Sequence, residues 1–511
     1  MKKTLSILLP CLLIGCLHSL AQKITYSEAD RDDSKTMAFE VVGKVGGKLM
    51  VYKNYREAHT IVTYDADMKP VDKTKLEFIN LRLLNTDFIQ YPDFVYMIYQ
   101  FQRRSVMYCM AVKLDPSGKK IGEAIELDST DNINYASNNK IYSLLVSDDK
   151  HKIMVFKINT KNDKSHILTT SLYNTDMVLQ KRSRLNIPMP QRNDFLSEFA
   201  LDNEGDMICI RASGTSTNDN INKISLITKP ALQDNYTVSD IKLGNIYLDD
   251  MRIKVDNINK HYLITSFLSK QRRGNIEGLY YMLWDKGQNK ELLNATTVFT
   301  DEFREDAKGE NGSKTAFNDF FLKNIILRKD GGFIIVAESA YTSSRGNTLN
   351  RWDYLYGSPY WTPVDYYSWN SPIGYYPWGR YNIYGPVNTN NLTRYFADNV
   401  AVISFEPNGK MEWSNVVRKS QFDDNTDNYI GFGLFNTGDQ LHYIFNLQEK
   451  RAMVLTDQSI APTGQIERNP TFKNLDKGYD FMPRHAKQIG SRTAIVPCQY
   501  RGFTCFAKIE F

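Results

Sequence analysis

The sequence has no long hydrophobic run beyond its first residues and no strong excess of either charge. No later segment approaches the roughly 20 consecutive apolar residues that a transmembrane helix needs, so we expect none. Basic residues number 63 and acidic residues 58, for a net charge of +5, and they form no basic run or stripe. Because a nucleic-acid-binding surface needs such a patch, this class of partner is excluded.

The sequence also has few residues of the kinds that carry common catalytic chemistry. Six of its seven histidines follow residue 22, and none of these falls in a metal-binding or nucleophile motif. There is no Gly-x-Ser-x-Gly, no His-Glu-x-x-His and no phosphate-binding loop. The sequence therefore predicts no catalytic residue by motif, no metal site and no cofactor.

Cysteine is scarce as well. The cysteines that follow residue 22 are Cys109, Cys209, Cys498 and Cys505. No pair of them has the spacing of a zinc site. A two-residue turn at Arg501 and Gly502 would place Cys498 opposite Cys505 across a hairpin, within bridging distance. We therefore expect a disulfide between these two residues in an oxidising compartment.

Residues 1–22 have the pattern of a secretory signal peptide. Lys2 and Lys3 precede an apolar run over residues 5–17, and Ala21 is a small residue suited to cleavage. Leu-Ile-Gly before Cys16 resembles a bacterial lipid-attachment site, so a lipid anchor there is the alternative to cleavage near Ala21. The sequence predicts an exported protein of the periplasm, the outer-membrane surface or the cell exterior.

The chain is rich in short runs of Val, Ile, Phe, Tyr and Thr, separated by Asp, Asn and Gly turns, and long helical periodicity is absent. This pattern is typical of an all-β fold. An acidic or amide residue precedes a large apolar residue at the start of several inferred strands, at Asp87, Asp194, Asp250, Asp319, Asn428 and Asp480. The spacing fits a unit of about 53 residues, close to a propeller blade.

Four strands, A to D, can be drawn within one unit. The clearest examples are at residues 320–327, 333–341, 399–405 and 410–417. Seven units follow from Phe39, and residues 480–511 supply three further strands. Residues 24–27 would complete the last unit and close the ring. We predict one β-propeller domain over residues 23–511 with eight blades, and seven as the alternative.

Two C-to-D turns resemble repeats of quinoprotein-type propellers. These are residues 114–119, Leu-Asp-Pro-Ser-Gly-Lys, and residues 405–410, Phe-Glu-Pro-Asn-Gly-Lys, the second followed by Trp413. The resemblance covers about ten residues in each blade. More broadly, the chain resembles uncharacterised secreted β-propeller-like proteins of Bacteroidota. That resemblance implies a fold and a compartment, and it implies no activity.

One segment is far richer in aromatic residues than the rest. Thirteen of the thirty-three residues at 352–384 are Trp or Tyr, in a chain that is 12% aromatic. Prolines and glycines interrupt the segment, so we place it in a loop, as a B-to-C insertion at 342–397. Such rings offer stacking surfaces for a ligand. The predicted ligand-binding aromatics are Trp352, Tyr356, Tyr360, Trp361, Tyr367, Trp369, Tyr376 and Trp378.

Arginines recur in the other B-to-C connections, which would emerge on the same face of the propeller. We predict that they pair with anionic groups beside the aromatic rings, although hairpin tips also carry arginine for solubility alone. The predicted residues are Arg103, Arg104, Arg272, Arg273 and Arg501.

Aspartates at the starts of A strands would surround the mouth of the channel on that face. They could bind a cation or amines, or each could accept hydrogen bonds from the backbone of its own turn. The residues concerned are Asp87, Asp194, Asp250, Asp319 and Asp480.

A further acidic segment partly resembles a calcium-binding loop. Asp423, Asn425 and Asp427 match its opening, but Asn428 stands where glycine is needed and Leu434 stands where glutamate is needed. The sequence therefore does not predict calcium binding there.

These features favour a non-catalytic binding or assembly module of the bacterial cell envelope, recognising a glycan or an envelope protein. The alternative is a polysaccharide-acting hydrolase or lyase with carboxylates at the channel mouth, since such carboxylates are brought together only by the fold. Asp194, Asp250 and Asp319 are the candidates for that activity.

Overall fold

A computed structural model describes residues 22–29, 37–55, 57–133, 141–162, 164–215, 219–308, 316–344, 393–424, 426–449, 452–469, 472 and 478–511. These residues contain 34 strands, one short α-helix and one 3-10 turn. No helix in these ranges is long and apolar enough to cross a membrane. The protein is all-β, as predicted.

The strands form eight antiparallel units, termed blades 1 to 8. Blade 1 consists of β2 (Ala38–Val45), β3 (Lys48–Tyr55), β4 (Ala58–Tyr64) and β5 (Pro70–Lys75), and blade 2 of β6 (Leu83–Gln90), β7 (Val95–Arg103), β8 (Val106–Leu114) and β9 (Lys120–Thr130). Blade 3 consists of β10 (Ser143–Val146), β11 (Lys152–Asn162), β12 (Ser165–Asn174) and β13 (Leu179–Pro188). Blade 4 consists of β14 (Asp194–Leu201), β15 (Met207–Gly214), β16 (Ile221–Lys229) and β17 (Thr237–Ile241).

Blade 5 consists of β18 (Tyr247–Asp256), β19 (His261–Ser269), β20 (Gly278–Asp285) and β21 (Lys290–Val298), and α1 (Asp301–Ala307) follows it. Blade 6 consists of β22 (Phe320–Leu327), β23 (Phe333–Ser344), β24 (Thr393–Phe405) and β25 (Met411–Val417), with the short β26 (Phe422–Asp424) beside β24. Blade 7 consists of β27 (Phe432–Asn436), β28 (Leu441–Glu449), β29 (Ala452–Ile460) and β30 (Ile466–Arg468). Blade 8 combines β31 (Tyr479–Phe481), the 3-10 turn Pro483–His485, β32 (Lys487–Gly490), β33 (Thr493–Tyr500) and β34 (Phe503–Glu510) with β1 (Lys23–Tyr26) from the other end of the chain.

The N-terminal strand closes the ring. β1 pairs antiparallel with β34, with Lys23 opposite Glu510 and Tyr26 opposite Ala507. The last blade therefore takes its outer strand from the start of the described chain and its other strands from the end. This pairing confirms the predicted role of residues 24–27 and the count of eight blades.

The core is divided into eight hydrophobic clusters, and each one lies between two neighbouring blades. The cluster between blades 8 and 1, for example, packs Phe39 and Val51 against Ile495 and Phe506. Burying a large apolar side chain contributes about 1.5–3 kcal/mol, so these interfaces supply most of the driving force for folding. Eight blades with eight interfaces between neighbours require a closed ring, which is the propeller arrangement; blades 4 and 5 also share one backbone pairing, Ile221 with Leu248.

The hairpin of β33 and β34 turns at Arg501 and Gly502, as predicted, and Cys498 lies directly opposite Cys505. Both cysteines are buried and are present as separate thiols, with their sulfur atoms 2.9 Å apart. The disulfide between them stays a prediction.

Candidate functional site

The first strand of each blade begins on one face of the ring, here termed the upper face, and ends on the lower face. In blade 6 a hairpin extends beyond the upper end of the inner strand. β22 pairs with β23 only as far as Ser339, whereas β23 and β24 stay paired up to Ser344 and Thr393. The predicted aromatic ligand-binding residues fall between these two ends, in a segment that lies outside the described residues.

The base of this hairpin carries a row of aromatic rings. Tyr341 stacks on Phe396, with ring centroids 4.5 Å apart and planes inclined by 9°. Phe396 lies 6.3 Å from Phe422 on β26, and the Arg394 guanidinium lies 4.6 Å above the Phe422 ring. Phe422 is 52% exposed. An exposed ring next to an arginine is a surface on which a sugar or a planar group can stack.

β26 pairs with the extended part of β24 and brings carboxylates to the upper face. Side chains alternate along a strand, so Asp423 points away from Phe422 and Asp424. Asp427 follows in the connection to blade 7, and Asp480 lies on β31, the first strand of blade 8. The charges of Asp427 and Asp480 both act on Asp423, so three elements of the fold converge on one carboxyl group.

Two of these carboxylates have cationic partners. Asp424 receives two hydrogen bonds from Arg394, at 2.7 and 3.1 Å, and Asp427 forms an ion pair with Arg484. Within the described part of the chain, no cation pairs with Asp423 or Asp480. The cluster therefore keeps an excess of negative charge around Asp423.

Asp423 is the most strongly perturbed of these acids. Burial raises the pKa of Asp423 to about 7, and the neighbouring charges of Asp424, Asp427 and Asp480 add to this effect. Burial also raises the pKa of Asp480, although its side chain remains reachable by solvent. A carboxyl group with a pKa near neutrality can donate and accept a proton under physiological conditions, which is the requirement for general acid–base catalysis.

A buried ion-pair network anchors the segment that leads into β26. The ammonium of Lys419, which has no exposed surface, lies 2.8 Å from the Glu338 carboxylate and donates to Gln421 Oε1 at 2.9 Å. Lys323 lies 3.4 Å from the same carboxylate. Burial by itself would raise the pKa of Glu338, but Lys419, Lys323 and Arg484 outweigh it and lower that pKa to about 2.

Gln421 extends this network to the next blade. Its Oε1 also accepts the backbone N–H of Gly431 at 2.8 Å, and its Nε2 donates to the carbonyl of Asn446 at 2.8 Å. Asp423 follows Gln421 by two residues and is therefore held by a fixed segment. Among the described residues, no group of three or more acidic, His or Cys side chains is arranged to hold a metal ion.

Comparisons with known proteins give a fold-level likeness only. No family model matches the chain, and no curated protein matches it. A solved prolyl endopeptidase shares 9% identity over 92% of this chain, with a TM-score of 0.40, and this chain spans 55% of its length. An ulvan lyase, a polysaccharide lyase solved with a bound glycan, shares 11% identity with a TM-score of 0.36, over 82% of this chain and 90% of the lyase.

A third solved structure is a Synechocystis apocarotenoid oxygenase. It shares 7% identity over 79% of this chain and 96% of its own, with a TM-score of 0.33. At such values these likenesses carry no conclusion about activity. The resemblance to secreted propeller-like proteins of Bacteroidota likewise stays an expectation.

The five aspartates predicted at the channel mouth have different surroundings. Asp194 accepts the backbone N–H of Gln191 at 2.8 Å, within its own turn, and Asp87 accepts from the side chain of Asn85 at 2.5 Å. Asp250 is buried, and its carboxylate accepts a hydrogen bond from the backbone N–H of Leu322 in the next blade. Asp319 lies just before β22, where its charge acts on Tyr341. Only Asp480 belongs to the cluster around Asp423.

The predicted arginines also differ from one another. Arg272 and Arg273 form ion pairs with the buried carboxylate of Asp219, at 2.5 and 3.3 Å, and so tie blade 5 to blade 4. The Arg501 guanidinium lies 5.0 Å above the ring of Tyr500. Arg103 and Arg104 form no ion pair among the described residues. Ligand binding by these arginines stays a prediction.

Sequence reasoning missed Asp423 and Asp427 as members of a site. A sequence signal for these residues was present, because both belong to the segment that resembles the start of a calcium-binding loop. Because that pattern lacks the required glycine and glutamate, the sequence did not predict calcium binding there. What it could not show is that Asp480, more than fifty residues further along the chain, lies close to Asp423.

Proposed function

We propose that the protein cleaves a polysaccharide bound at the upper mouth of the channel, with Asp423 as the group that transfers a proton. The observation that carries this proposal is the convergence of Asp427 and Asp480 on a partly buried Asp423, whose pKa is raised to about 7. A proton-transferring group is most effective when its pKa lies close to the working pH.

The acids provide the pair of roles that glycoside cleavage needs. In hydrolysis, one carboxyl group is protonated and donates to the leaving oxygen, while a second is ionised. Asp423 suits the first role and Asp480 the second, because mutual repulsion favours one proton shared between neighbouring acids. In an elimination reaction, ionised Asp423 would instead remove a proton from a ring carbon. A carbon–carbon double bond would form, the glycosidic C–O bond would break, and the leaving oxygen would take up a proton from water.

The surface beside the acids suits a glycan. On the face of β26 opposite Asp423, Phe422 and Arg394 offer an exposed ring and a charged edge, so a polymer would have to pass over the strand to meet both. The Trp- and Tyr-rich segment connects the two strands of the same hairpin. Sugar rings stack on such aromatic faces, and arginine pairs with the anionic groups of acidic sugars. An exported protein of the cell envelope would meet such polymers.

The experiment is to incubate the purified protein with a panel of neutral and acidic polysaccharides and to follow new reducing ends and unsaturated products. We expect cleavage of at least one polymer. Asp423→Asn should reduce the rate by about 10²–10⁴-fold, the usual contribution of a general acid or base. Asp424→Asn is the matched control, since it removes a neighbouring charge that already pairs with Arg394. Equal activity of Asp423→Asn and the unaltered protein would reject the assignment.

A non-catalytic binding or assembly module is the second candidate. It is supported by the stacked rings of Tyr341 and Phe396 at the base of the aromatic segment. Under this proposal the polymer or an envelope protein is retained without cleavage, Asp423→Asn binds as well as the unaltered protein, and deletion of residues 352–384 abolishes capture. Retention without new chain ends separates this function from the first.

A further inference from the structure

The lower mouth of the channel contains a cleft on the opposite side of the ring from Asp423. Its volume is about 380 Å³, and its lining includes Lys44, Gly47, Gln90, Lys487 and Gln488. Lys44 and Gln90 come from the lower ends of the first strands of blades 1 and 2, and Lys487 comes from β32 in blade 8. The volume lies at the small end of the range for ligand pockets, which suits a molecule the size of one sugar.

The walls of this cleft are held rigidly. Gln90 Nε2 donates to the carbonyls of Lys44 and Tyr91, at 2.7 and 3.0 Å, and the N–H of Gly46 donates to the carbonyl of Pro92 at 2.6 Å. A side chain at Gly47 would meet no atom within 4 Å, so the backbone there borders open space. The cleft is therefore formed before any ligand arrives, which limits the entropy lost on binding.

Positive charge is concentrated around the cleft. The Lys487 ammonium donates to the carbonyl of Val42 at 3.0 Å, and the Lys150 ammonium donates to the carbonyl of Gln90 at 2.7 Å and to its Oε1 at 3.1 Å. Lys44 is exposed at the rim and forms no ion pair with any described residue.

Both Glu40 and Lys150 act on the Lys487 ammonium. Burial lowers the pKa of Lys487 to about 8; the charge of Glu40 opposes this effect and the charge of Lys150 adds to it. Burial likewise lowers the pKa of Lys150. Because Glu40 already balances the charge of Lys487 in part, the exposed Lys44 supplies most of the uncompensated positive charge that a bound anion would meet at the rim.

We propose that this lower cleft binds a small ligand bearing an oxyanion, a carboxylate or sulfate group on a sugar-sized molecule. Lys44 and Lys487 hold the oxyanion, and the backbone at Gly47 borders the remainder of the ligand. The site is separate from the acidic cluster at the upper mouth and does not depend on the proposed cleavage activity.

The test is calorimetric titration of the full chain with sodium glucuronate, sodium sulfate and glucose. We expect saturable binding of glucuronate, with one molecule per chain, and none of glucose. Binding of sulfate as well identifies the oxyanion as sufficient, whereas binding of glucuronate alone shows that the sugar ring contributes. The absence of saturable binding by both anions overturns the proposal.

Substitutions locate the binding site. Lys44→Gln and Lys487→Met should each weaken glucuronate binding by about ten- to a hundredfold, the effect of losing one charge-assisted hydrogen bond. Lys44 is exposed, so its substitution keeps the test valid if Lys487→Met fails to fold. Lys119→Gln removes the same charge from another lower-face turn and should leave the affinity unchanged. Binding by both cleft variants as tight as that of the unaltered protein contradicts the site.

A last variant separates this proposal from the proposed function. Asp423→Asn alters the upper mouth only, so it should retain full affinity for glucuronate whether or not it cleaves a polymer. Loss of anion binding in this variant would place the anion at the upper mouth and overturn the lower site.

Discussion

The carboxylate of Asp250 accepts the backbone N–H of Leu322 at 2.5 Å, across the boundary between blades 5 and 6. One blade earlier, Glu198 accepts the N–H of Ile253 at 3.1 Å in the same manner. Both acids lie at bulges of inner strands and have positive φ angles, 42° for Asp250 and 53° for Glu198. Arg252 contacts both carboxylates. The bulges turn these acids sideways, so that they link neighbouring blades near the axis.

Asp250→Asn should destabilise the ring. Asparagine tolerates the left-handed backbone conformation, so the substitution removes the charge without adding strain. We expect a loss of about 1–3 kcal/mol in the free energy of unfolding, because the buried bonds to Leu322 and Arg252 weaken. Denaturant unfolding measures this change. Glu123→Gln, at an exposed site on an outer strand, should change the stability little.

Glu338 and Lys419 should be strongly coupled. Glu338→Gln leaves the buried Lys419 ammonium without its nearest counter-charge, and we expect a loss of about 3–5 kcal/mol. Adding Lys419→Met should recover part of that loss, which a double-mutant cycle by denaturant unfolding measures. Strictly additive effects of the two substitutions would contradict the coupling.

The same carboxylate should contribute to acid sensitivity. The pKa of Glu338 is lowered from the usual 4.5 to about 2 in the folded protein. Its stabilising contribution is therefore complete above the unfolded value and is lost as the pH falls from 4.5 through 2. Glu338→Gln should flatten the stability profile in that interval, as measured by thermal unfolding across pH. An unchanged slope would show that the carboxylate does not titrate in this way.

Asp423 should have the opposite dependence. Its pKa is raised from the usual 3.8 to about 7, so the folded state binds more protons than the unfolded state between these values. The resulting stabilisation is present below 3.8 and is lost as the pH rises through 7. Asp423→Asn should therefore raise the melting temperature relative to the unaltered protein at pH 8 and change it least at acidic pH. Asp424→Asn removes only one of the charges that act on Asp423 and leaves its burial intact, so it serves as the control and should produce a much smaller change.

Pairing of β1 with β34, which closes the ring, should stabilise the whole domain. Thr25→Pro removes a backbone donor from the strand that pairs with β34, and we expect a lower melting temperature and faster hydrogen exchange in β34. Val238→Pro, in the outer strand of blade 4, makes the same chemical change away from the closure. An equal effect of the two substitutions would argue against a special role for β1.

The fold follows largely from local patterns in the sequence. Strand β22 was predicted at its observed bounds, and β23 and β24 were predicted with only their upper ends too short. Those ends were missed because pairing after Tyr341 and before Asn399 depends on the hairpin of one blade and not on the repeat shared by all. The strand at 24–27 was predicted because the last unit lacked its fourth strand.

The site followed from the sequence only in part. Asp480 was predicted at the channel mouth from its position before an inner strand, and so were Asp194 and Asp250. The structure places Asp194 in its own turn and Asp250 against blade 6. A repeated position fixes where a residue lies along a blade, but a bulge or a turn decides the direction of its side chain.

The sequence by itself determined the all-β class, the blade repeat and the strand that closes the ring, because alternation of apolar residues and turn residues acts over a few neighbouring positions. Only the tertiary structure decided which acid is perturbed. The pKa of Asp423 depends on burial and on charges from the connection to blade 7 and from β31. Those charges act through space over distances set by the closed ring, and no local pattern in the chain records them.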